Sequence, residues 1–178
     1  MNIRKIYIYV SIAAVTLGIS SCDDYLDKLP DNRMELNSKE KVQQFLVSAY
    51  PDHNPALLAE MYSDNSDEFK VTSWTSAGRF QDQAYAWADI TEISENETPQ
   101  EIWNSLYKAM GTANTALKAI RDNGNTDDYQ PSKGEALLCR AYAAFQLANT
   151  FCMAYDATTA EKYMGVPYPT EPETKVGT

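Results

Sequence analysis

Two stretches in the second half of the chain carry apolar residues at the three- and four-residue spacing of an amphipathic helix. The first follows Thr98-Pro99-Gln100-Glu101, a capping box with proline at the first helical position. It should end near Asn123-Gly124, where glycine permits a left-handed backbone. Its apolar positions share one face: Ile102, Leu106, Ala109, Met110, Ala113, Leu117 and Ile120. We therefore predict a helix of about 20 residues that buries this face.

The second stretch follows Ser132-Lys133-Gly134-Glu135, which also has the sequence of a capping box. Its apolar residues at helical spacing are Leu138, Ala141, Tyr142, Phe145, Ala148 and Phe151. Fewer than ten residues separate the two predicted helices, so they should fold back as an antiparallel hairpin. Both helices are rich in alanine, which allows the close approach typical of tetratricopeptide-type hairpins. The fold class predicted is all-α, built on tetratricopeptide-like helical hairpins with a long irregular loop segment.

The rest of the chain predicts shorter elements. Residues 37–50 should form a helix that Asn37 caps and Pro51 ends, and residues 55–62 could form a second, short one. The apolar face of the first of these is Val42, Phe45, Leu46, Ala49 and Tyr50. Residues 63–97 show no sustained period, and long structured loops of this kind are often functional. Three prolines exclude a helix over residues 165–172, which should be extended.

The N-terminus has the organisation of a secretory signal peptide. Arg4 and Lys5 precede the apolar residues 6–19, and Ser20-Ser21 comes directly before Cys22. The apolar run is too short for a transmembrane helix, which needs roughly 20 residues. A cysteine after small residues favours a bacterial lipoprotein, in which the Cys22 thiol receives a diacylglycerol, over a plain secreted protein. We therefore divide the chain into a signal peptide (1–21), a tether (22–37) and a helical domain (38–178).

Charge and cysteine usage narrow the possible functions. The net charge of −10 disfavours nucleic acid and anionic lipid as partners, and suits a neutral or cationic ligand or a protein. Cys139 and Cys152 would lie about 20 Å apart on one helix, too far for a disulfide, so we expect two buried free thiols. His53 is the only histidine, and no Cys/His cluster has metal-ligand spacing. We accordingly expect no metal and no cofactor.

Four motifs, in order, resemble one known family. They are Cys22-Asp23-Asp24-Tyr25-Leu26-Asp27, then Trp103-x-x-Leu106-Tyr107 running into Ala113-Asn114-x-x-Leu117, then Gly134-Glu135-Ala136-Leu137-Leu138-Cys139-Arg140-Ala141-Tyr142, and finally Gly165-Val166-Pro167-Tyr168-Pro169. Together they resemble the N-terminal region of the SusD/RagB-like lipoproteins of Bacteroidota.

This resemblance implies a surface-exposed outer-membrane lipoprotein. Such proteins form a lid on a TonB-dependent, SusC-like transporter and capture glycans, or in some cases peptides, for uptake. The lipid anchor would hold the protein to the membrane, and the acidic residues after Cys22 resemble that group's surface-export signal. Members of the family run to several hundred residues, so we expect this chain to correspond to the first part of their helical scaffold.

Glycan binding needs aromatic rings for the apolar sugar faces and amides or charged groups for the hydroxyls. The irregular segment holds these residue types, and in the related family a loop near this point contributes to the ligand site. Trp74 is the first candidate, because no apolar period surrounds it; alternatively it fills the local core under its loop. The full set of candidate ligand-binding residues is Asn65, Trp74, Arg79, Tyr85 and Trp87.

Two residues on the predicted helices have structural interpretations instead. Trp103 lies in the first turn of an amphipathic helix and should pack against its neighbours. Arg140 stands among apolar residues, so we expect it to pair with an acid such as Glu135 or Glu101.

Two other functions fit parts of the sequence. One is a helical lipoprotein that binds a protein or peptide and no sugar. The other, weaker, is a glycoside hydrolase, because Asp64, Asp67 and Glu68 cluster and glycosidases use paired carboxylates. The chain has no nucleophile elbow, phosphate loop or metal motif, so we expect no catalysis.

Overall fold

The computed structural model describes residues 35–65, 79–93 and 97–173. These residues form five α-helices: α1 (Lys39–Leu46), α2 (Ala56–Met61), α3 (Phe80–Tyr85), α4 (Pro99–Asp122) and α5 (Gln130–Phe151). Short 3-10 turns lie at Val47–Ala49, Asp127–Tyr129 and Ala160–Lys162. Because these ranges contain no strand, the predicted all-α class is confirmed for them.

The described residues from Leu36 onward belong to one compact unit, and the other unit, Met1–Glu35, is described only at Glu35. The predicted signal peptide, the Cys22 lipidation site and most of the tether therefore lie outside the described residues. Within the part of the chain that is described, none of the helices has the length and apolar character needed to span a bilayer.

Helix α4 begins and ends as its sequence predicts. The Thr98 hydroxyl accepts a hydrogen bond from the backbone N–H of Glu101 at 3.3 Å, and Pro99 occupies the first turn. At the other end Gly124 has a φ of 86°, and the Asn125 N–H donates to the Ile120 carbonyl at 2.9 Å. This is the Schellman geometry that glycine favours. All seven residues of the predicted apolar face are buried.

Helices α4 and α5 pack as an antiparallel hairpin. Trp103 near the start of α4 meets Phe151 at the end of α5, with ring centroids 5.1 Å apart. Halfway along, Arg140 donates a hydrogen bond to Asn114 at 3.1 Å. Trp103 also contacts Tyr107 at 4.8 Å and is partly buried, in keeping with its predicted packing role. The tetratricopeptide-like arrangement of the wider fold stays a prediction.

The predicted apolar face of α5 is wrong except at Phe151, which is partly buried and packs against Trp103. Leu138, Tyr142 and Phe145 are exposed, while the helix buries Ser132, Ala136, Cys139, Ala143 and Leu147. The reason lies in the partner helix, which also presents small residues at the contact: Ala109, Ala113 and Ala116. Two helices pack most closely where the side chains between them are small. The small-residue faces of α4 and α5 are therefore in contact, and the bulky face of α5 is exposed.

Both remaining cap predictions also need correction. Helix α5 begins at Gln130 with Pro131 in its first turn, so Ser132 lies inside the helix and does not cap it. Helix α1 is capped by Ser38, whose hydroxyl accepts from the Lys41 N–H at 3.4 Å. The predicted cap, Asn37, instead accepts from the Lys41 ammonium at 2.9 Å.

The apolar face of α1 is largely as predicted. Val42, Leu46 and Ala49 are fully buried, and Phe45 is partly buried against the same cluster. Tyr50 is the exception, because it is exposed and donates its hydroxyl hydrogen to Glu135 at 2.9 Å. This cluster joins α1 to the loop end of the hairpin, and a second cluster joins α2 and α3 to its other end.

Residues 165–172, here called the strap, contain no helix, as predicted, and contact both helices of the hairpin. The Tyr107 hydroxyl donates to the Pro167 carbonyl and the Asn114 amide donates to the Pro169 carbonyl, both at 2.9 Å. Val166 packs against the second cluster. Side chains of the hairpin thus bind the backbone carbonyl oxygens of the strap.

The strap also explains why the predicted acidic partner of Arg140 is wrong. Its guanidinium donates to Asn114 and to the Thr170 carbonyl at 3.4 Å, and lies 5.8 Å from the centre of the Tyr168 ring. Because the strap supplies a carbonyl and an aromatic face, Arg140 forms no ion pair with Glu135 or Glu101, both of which are described.

The two described cysteines are free, as predicted. Cys139 is buried, and burial is the main reason that its thiol pKa is raised. Cys152 follows the last residue of α5 and is only partly buried.

Candidate ligand-binding clefts

The structure describes four of the five predicted ligand-binding residues, since Trp74 lies outside the described residues. Asn65 is exposed at the end of the first described range. Arg79 is also exposed, and its guanidinium donates two hydrogen bonds to Asp82, both at 3.2 Å. Asn65 and Arg79 therefore lie on the surface, and neither lines the clefts described below.

Of the two predicted aromatics that the structure describes, Trp87 is the more accessible, with 75% of its surface exposed. Its ring meets Tyr62 edge to face, with centroids 5.0 Å apart and planes at 61°. Tyr85, on the preceding helix, is also exposed. An exposed tryptophan held by a second aromatic ring presents a rigid apolar face to a ligand.

The backbone of Trp87 is unusual for so large a residue, with a φ of 53°. It occupies the left-handed position after α3, where its N–H donates to Ala84 and the Ala88 N–H donates to Gln83. Glycine is the usual residue at this position, because side chains make the left-handed conformation costly. Because the left-handed backbone is costly for a tryptophan, this position is a candidate for a functional side chain.

Tyr62 lines a cleft of about 460 Å³ between α2 and α5, here called the first cleft. Its walls combine the Tyr62 and Tyr142 rings with the amides of Gln146 and Asn149. The other lining residues are Asn54, Pro55, Ala56, Leu58, Ala59 and Thr150. The described walls therefore contain no acidic or basic side chain, and they suit a neutral ligand that has both apolar faces and hydroxyl groups.

The loop that leads into α2 is fixed to the hairpin. The His53 N–H donates to the Ser105 hydroxyl at 2.9 Å, and the Asn54 N–H donates to the Glu97 carboxylate at 3.1 Å. Asp52 pairs with Lys108 at 2.8 Å, and this hydrogen bond lowers the pKa of the Asp52 carboxyl. These contacts position Asn54 at the mouth of the first cleft.

A second cleft of about 530 Å³ lies beyond the end of α5. Residues of α5 form one wall, and the loop over residues 153–165 forms the other. Its aromatic lining consists of Phe145, Tyr155 and Tyr163, and Met153 and Met164 add flexible apolar surface. Asn149 lines both clefts.

The groups considered for catalysis do not assemble in the described residues. Asp64 is exposed, and Asp67 and Glu68 lie outside the described residues. The hydroxyl of Ser105 accepts from the backbone of His53, whose ring faces Glu97 at 3.4 Å. Within the same residues, no group of three or more potential metal ligands occurs.

Sequence reasoning missed the residues that line the first cleft. The spacing places Tyr142 among the apolar residues of the second helix, and Tyr62 at the end of the short helix over residues 55–62. One signal was available, because Tyr142, Gln146 and Asn149 are spaced four and three residues apart and so share one face of α5. Two amides beside an aromatic ring are typical of a surface that contacts a polar ligand.

Comparison with known protein families identifies the family of this chain. The SusD-like_3 family model, described as "Starch-binding associating with outer membrane", matches residues 24–178. No curated protein and no solved structure matches the chain significantly. The family match includes both helices of the hairpin, the strap and every residue that lines the two clefts.

Proposed function

The chain belongs to the SusD-like family, and from this membership we propose that it is an outer-membrane lipoprotein that captures glycans. The observation that carries the proposal is the family match over residues 24–178. The first cleft supports it, because its tyrosines and amides offer both kinds of contact that a sugar makes. In this proposal the protein binds its ligand without catalysing a reaction.

The proposed anchor is a lipid on Cys22. The residues before it have the pattern of a signal peptide, with small residues at the expected cleavage point, and the family is described as associating with the outer membrane. Each buried methylene of an acyl chain contributes roughly 0.8 kcal/mol, so several chains on one cysteine hold a protein durably. The acidic residues after Cys22 favour export to the outer face, where the protein would serve a TonB-dependent, SusC-like transporter.

The anchor and its orientation can be tested on cells. Protease added to intact cells should digest the protein, and Cys22→Ala should release it from the membrane fraction. Protection from protease until the outer membrane is permeabilised would contradict the surface location. Membrane retention of the Cys22→Ala variant would contradict the lipid anchor.

Glycan capture is tested by calorimetric titration of the protein, produced without residues 1–22, against a panel of neutral oligosaccharides. Trp87→Ala and Tyr62→Ala should each weaken binding roughly three- to ten-fold, because one aromatic contact contributes about 0.5–1.5 kcal/mol. Trp74→Ala tests the residue that the sequence favoured. Tyr50→Ala, an exposed tyrosine that lines neither cleft, is the matched control and should bind normally.

The same titration separates the two other functions. Binding of peptides with no response to any glycan would favour the peptide-binding module and overturn the proposal. Release of reducing sugar by the purified protein, lost in Asp64→Asn or Asp67→Asn, would identify a glycoside hydrolase.

A further inference from the structure

The first and second clefts are neighbours on the outward face of α5. Asn149 lines both, and the two clefts overlap along the helix, the first from Tyr142 to Thr150 and the second from Phe145 to Cys152. At 1.5 Å per residue, the helix rises about 15 Å between Tyr142 and Cys152. Each cleft alone has the volume of an ordinary small-molecule site, so the two together offer room for an elongated ligand.

Three aromatic side chains of the second cleft are unusually accessible. Phe145 is 65% exposed, Tyr155 85% and Tyr163 53%. Large apolar side chains grouped on a surface mark interaction sites more often than isolated ones do. Here the three side chains line the second cleft, and the first cleft is also lined by aromatic rings. Aromatic surface is therefore present on both sides of Asn149.

We propose that the two clefts form one binding trough for a linear, neutral oligosaccharide, in which the second cleft is a subsite for the sugar units beyond the first. This inference rests on the proposed function and adds a second site to it. Asn149 then lies at the junction, where its amide can serve hydroxyl groups of adjacent units.

The charge of the residues that line the trough disfavours acidic oligosaccharides. Asp156 is the only acidic residue among the described residues that line either cleft, and no lysine or arginine accompanies it. Its carboxylate accepts hydrogen bonds from the N–H and the hydroxyl of Thr158, at 2.8 and 2.7 Å, which lower its pKa and keep it charged. A uronic-acid or sulfated chain would meet this charge without a compensating cation.

Length dependence tests the subsite. Maltotriose and maltoheptaose are titrated into the protein and into the double variant Tyr155→Ala/Tyr163→Ala, whose positions are exposed and tolerate truncation without loss of folding. The protein should bind maltoheptaose at least ten-fold more tightly than maltotriose. In the double variant, the ratio of the maltotriose Kd to the maltoheptaose Kd should be at least three-fold smaller, while the maltotriose Kd stays unchanged. Tyr50→Ala, which lines neither cleft, again serves as the control.

Two results would overturn the inference while leaving glycan capture intact. One is equal affinity for the two lengths in the unmodified protein, and the other is a length preference that the double variant retains in full. Tight binding of an oligogalacturonate of matched length would contradict the selection for neutral chains. Failure of the protein to bind any oligosaccharide would overturn the proposed function and this inference with it.

Discussion

Replacing Asn114 by alanine should loosen the strap and lower the stability of the whole helical unit. The Asn114 side chain is 1% exposed and makes two hydrogen bonds between different parts of the fold. Its amide donates to the Pro169 carbonyl at 2.9 Å, and its oxygen accepts from Arg140 at 3.1 Å. The substitution removes both hydrogen bonds, so that the Pro169 carbonyl and the Arg140 guanidinium each lose a partner.

The size of the effect follows from these contacts. A buried polar group that loses its partner typically costs about 1–3 kcal/mol, so a loss of about 2 kcal/mol is expected for Asn114→Ala. For a unit of this size, each kcal/mol lowers the melting temperature by roughly 2–4 °C. The variant should therefore melt about 4–8 °C below the unmodified protein.

Urea unfolding followed by circular dichroism measures the free energy, and limited proteolysis shows where the chain has loosened. New cleavage near residues 165–171 should appear in Asn114→Ala before the hairpin unfolds. Asn149→Ala is the control, because it removes an exposed amide from the same hairpin and should change stability by less than about 0.5 kcal/mol. If the free energy of unfolding of Asn114→Ala equals that of Asn149→Ala, the role assigned to Asn114 is refuted.

Three further predictions concern other sites. Ser132→Ala should leave stability unchanged or raise it by up to about 1 kcal/mol in urea unfolding, because the buried hydroxyl has no hydrogen-bond partner among the described residues; a clear loss would show that it has one. In a protein without Cys22, a thiol reagent should label Cys152 well before Cys139, whose thiol is buried and has a raised pKa; equal rates would contradict this. The Asp52 carboxyl, whose folded-state pKa is lowered by Lys108, stabilises the fold above its unfolded pKa and loses that contribution as the pH falls through its folded pKa. Asp52→Asn should therefore flatten the fall in melting temperature at acid pH, and an unchanged slope would contradict the pairing.

Local signals in the sequence predicted the parts of the fold that depend on nearby residues. The Thr98 cap and the Gly124 terminus of α4 were predicted correctly, because each involves contacts within a few residues. The two other cap predictions were wrong, by one residue at α1 and by three at α5, where the helix already begins at Gln130 and no side chain caps it. At α1, Ser38 took the position that Asn37 was expected to fill.

The α5 error has a different origin. Apolar spacing identifies a helical face but does not decide which of two faces the partner helix will accept. Ala143 and Leu147 pack against α4, while Leu138 and Phe145 remain outside. Which face of α5 is buried depends on the shape of the α4 surface, and the apolar spacing within α5 gives no information about that surface.

The sequence named residue types for the candidate site, but none of the four described candidates lines either cleft. Trp87 was a candidate because it lies in the segment without apolar periodicity, and the structure places its ring against Tyr62, which lines the first cleft. Tyr142 and Asn149 come from a helix more than fifty residues further along, which no local pattern connects to that loop. The second cleft likewise depends on how residues 153–165 return across the end of α5.

The most direct measurement is a backbone and side-chain amide NMR titration of the protein with maltoheptaose. Ligand binding on the outward face of α5 should shift the amide signals of Gln146 and Asn149 and the backbone signals around Tyr62 and Trp87, while Asn114 inside the hairpin stays unchanged. Saturable shifts confined to Asn114 and the strap, or no shifts at millimolar ligand, would contradict glycan capture by these clefts.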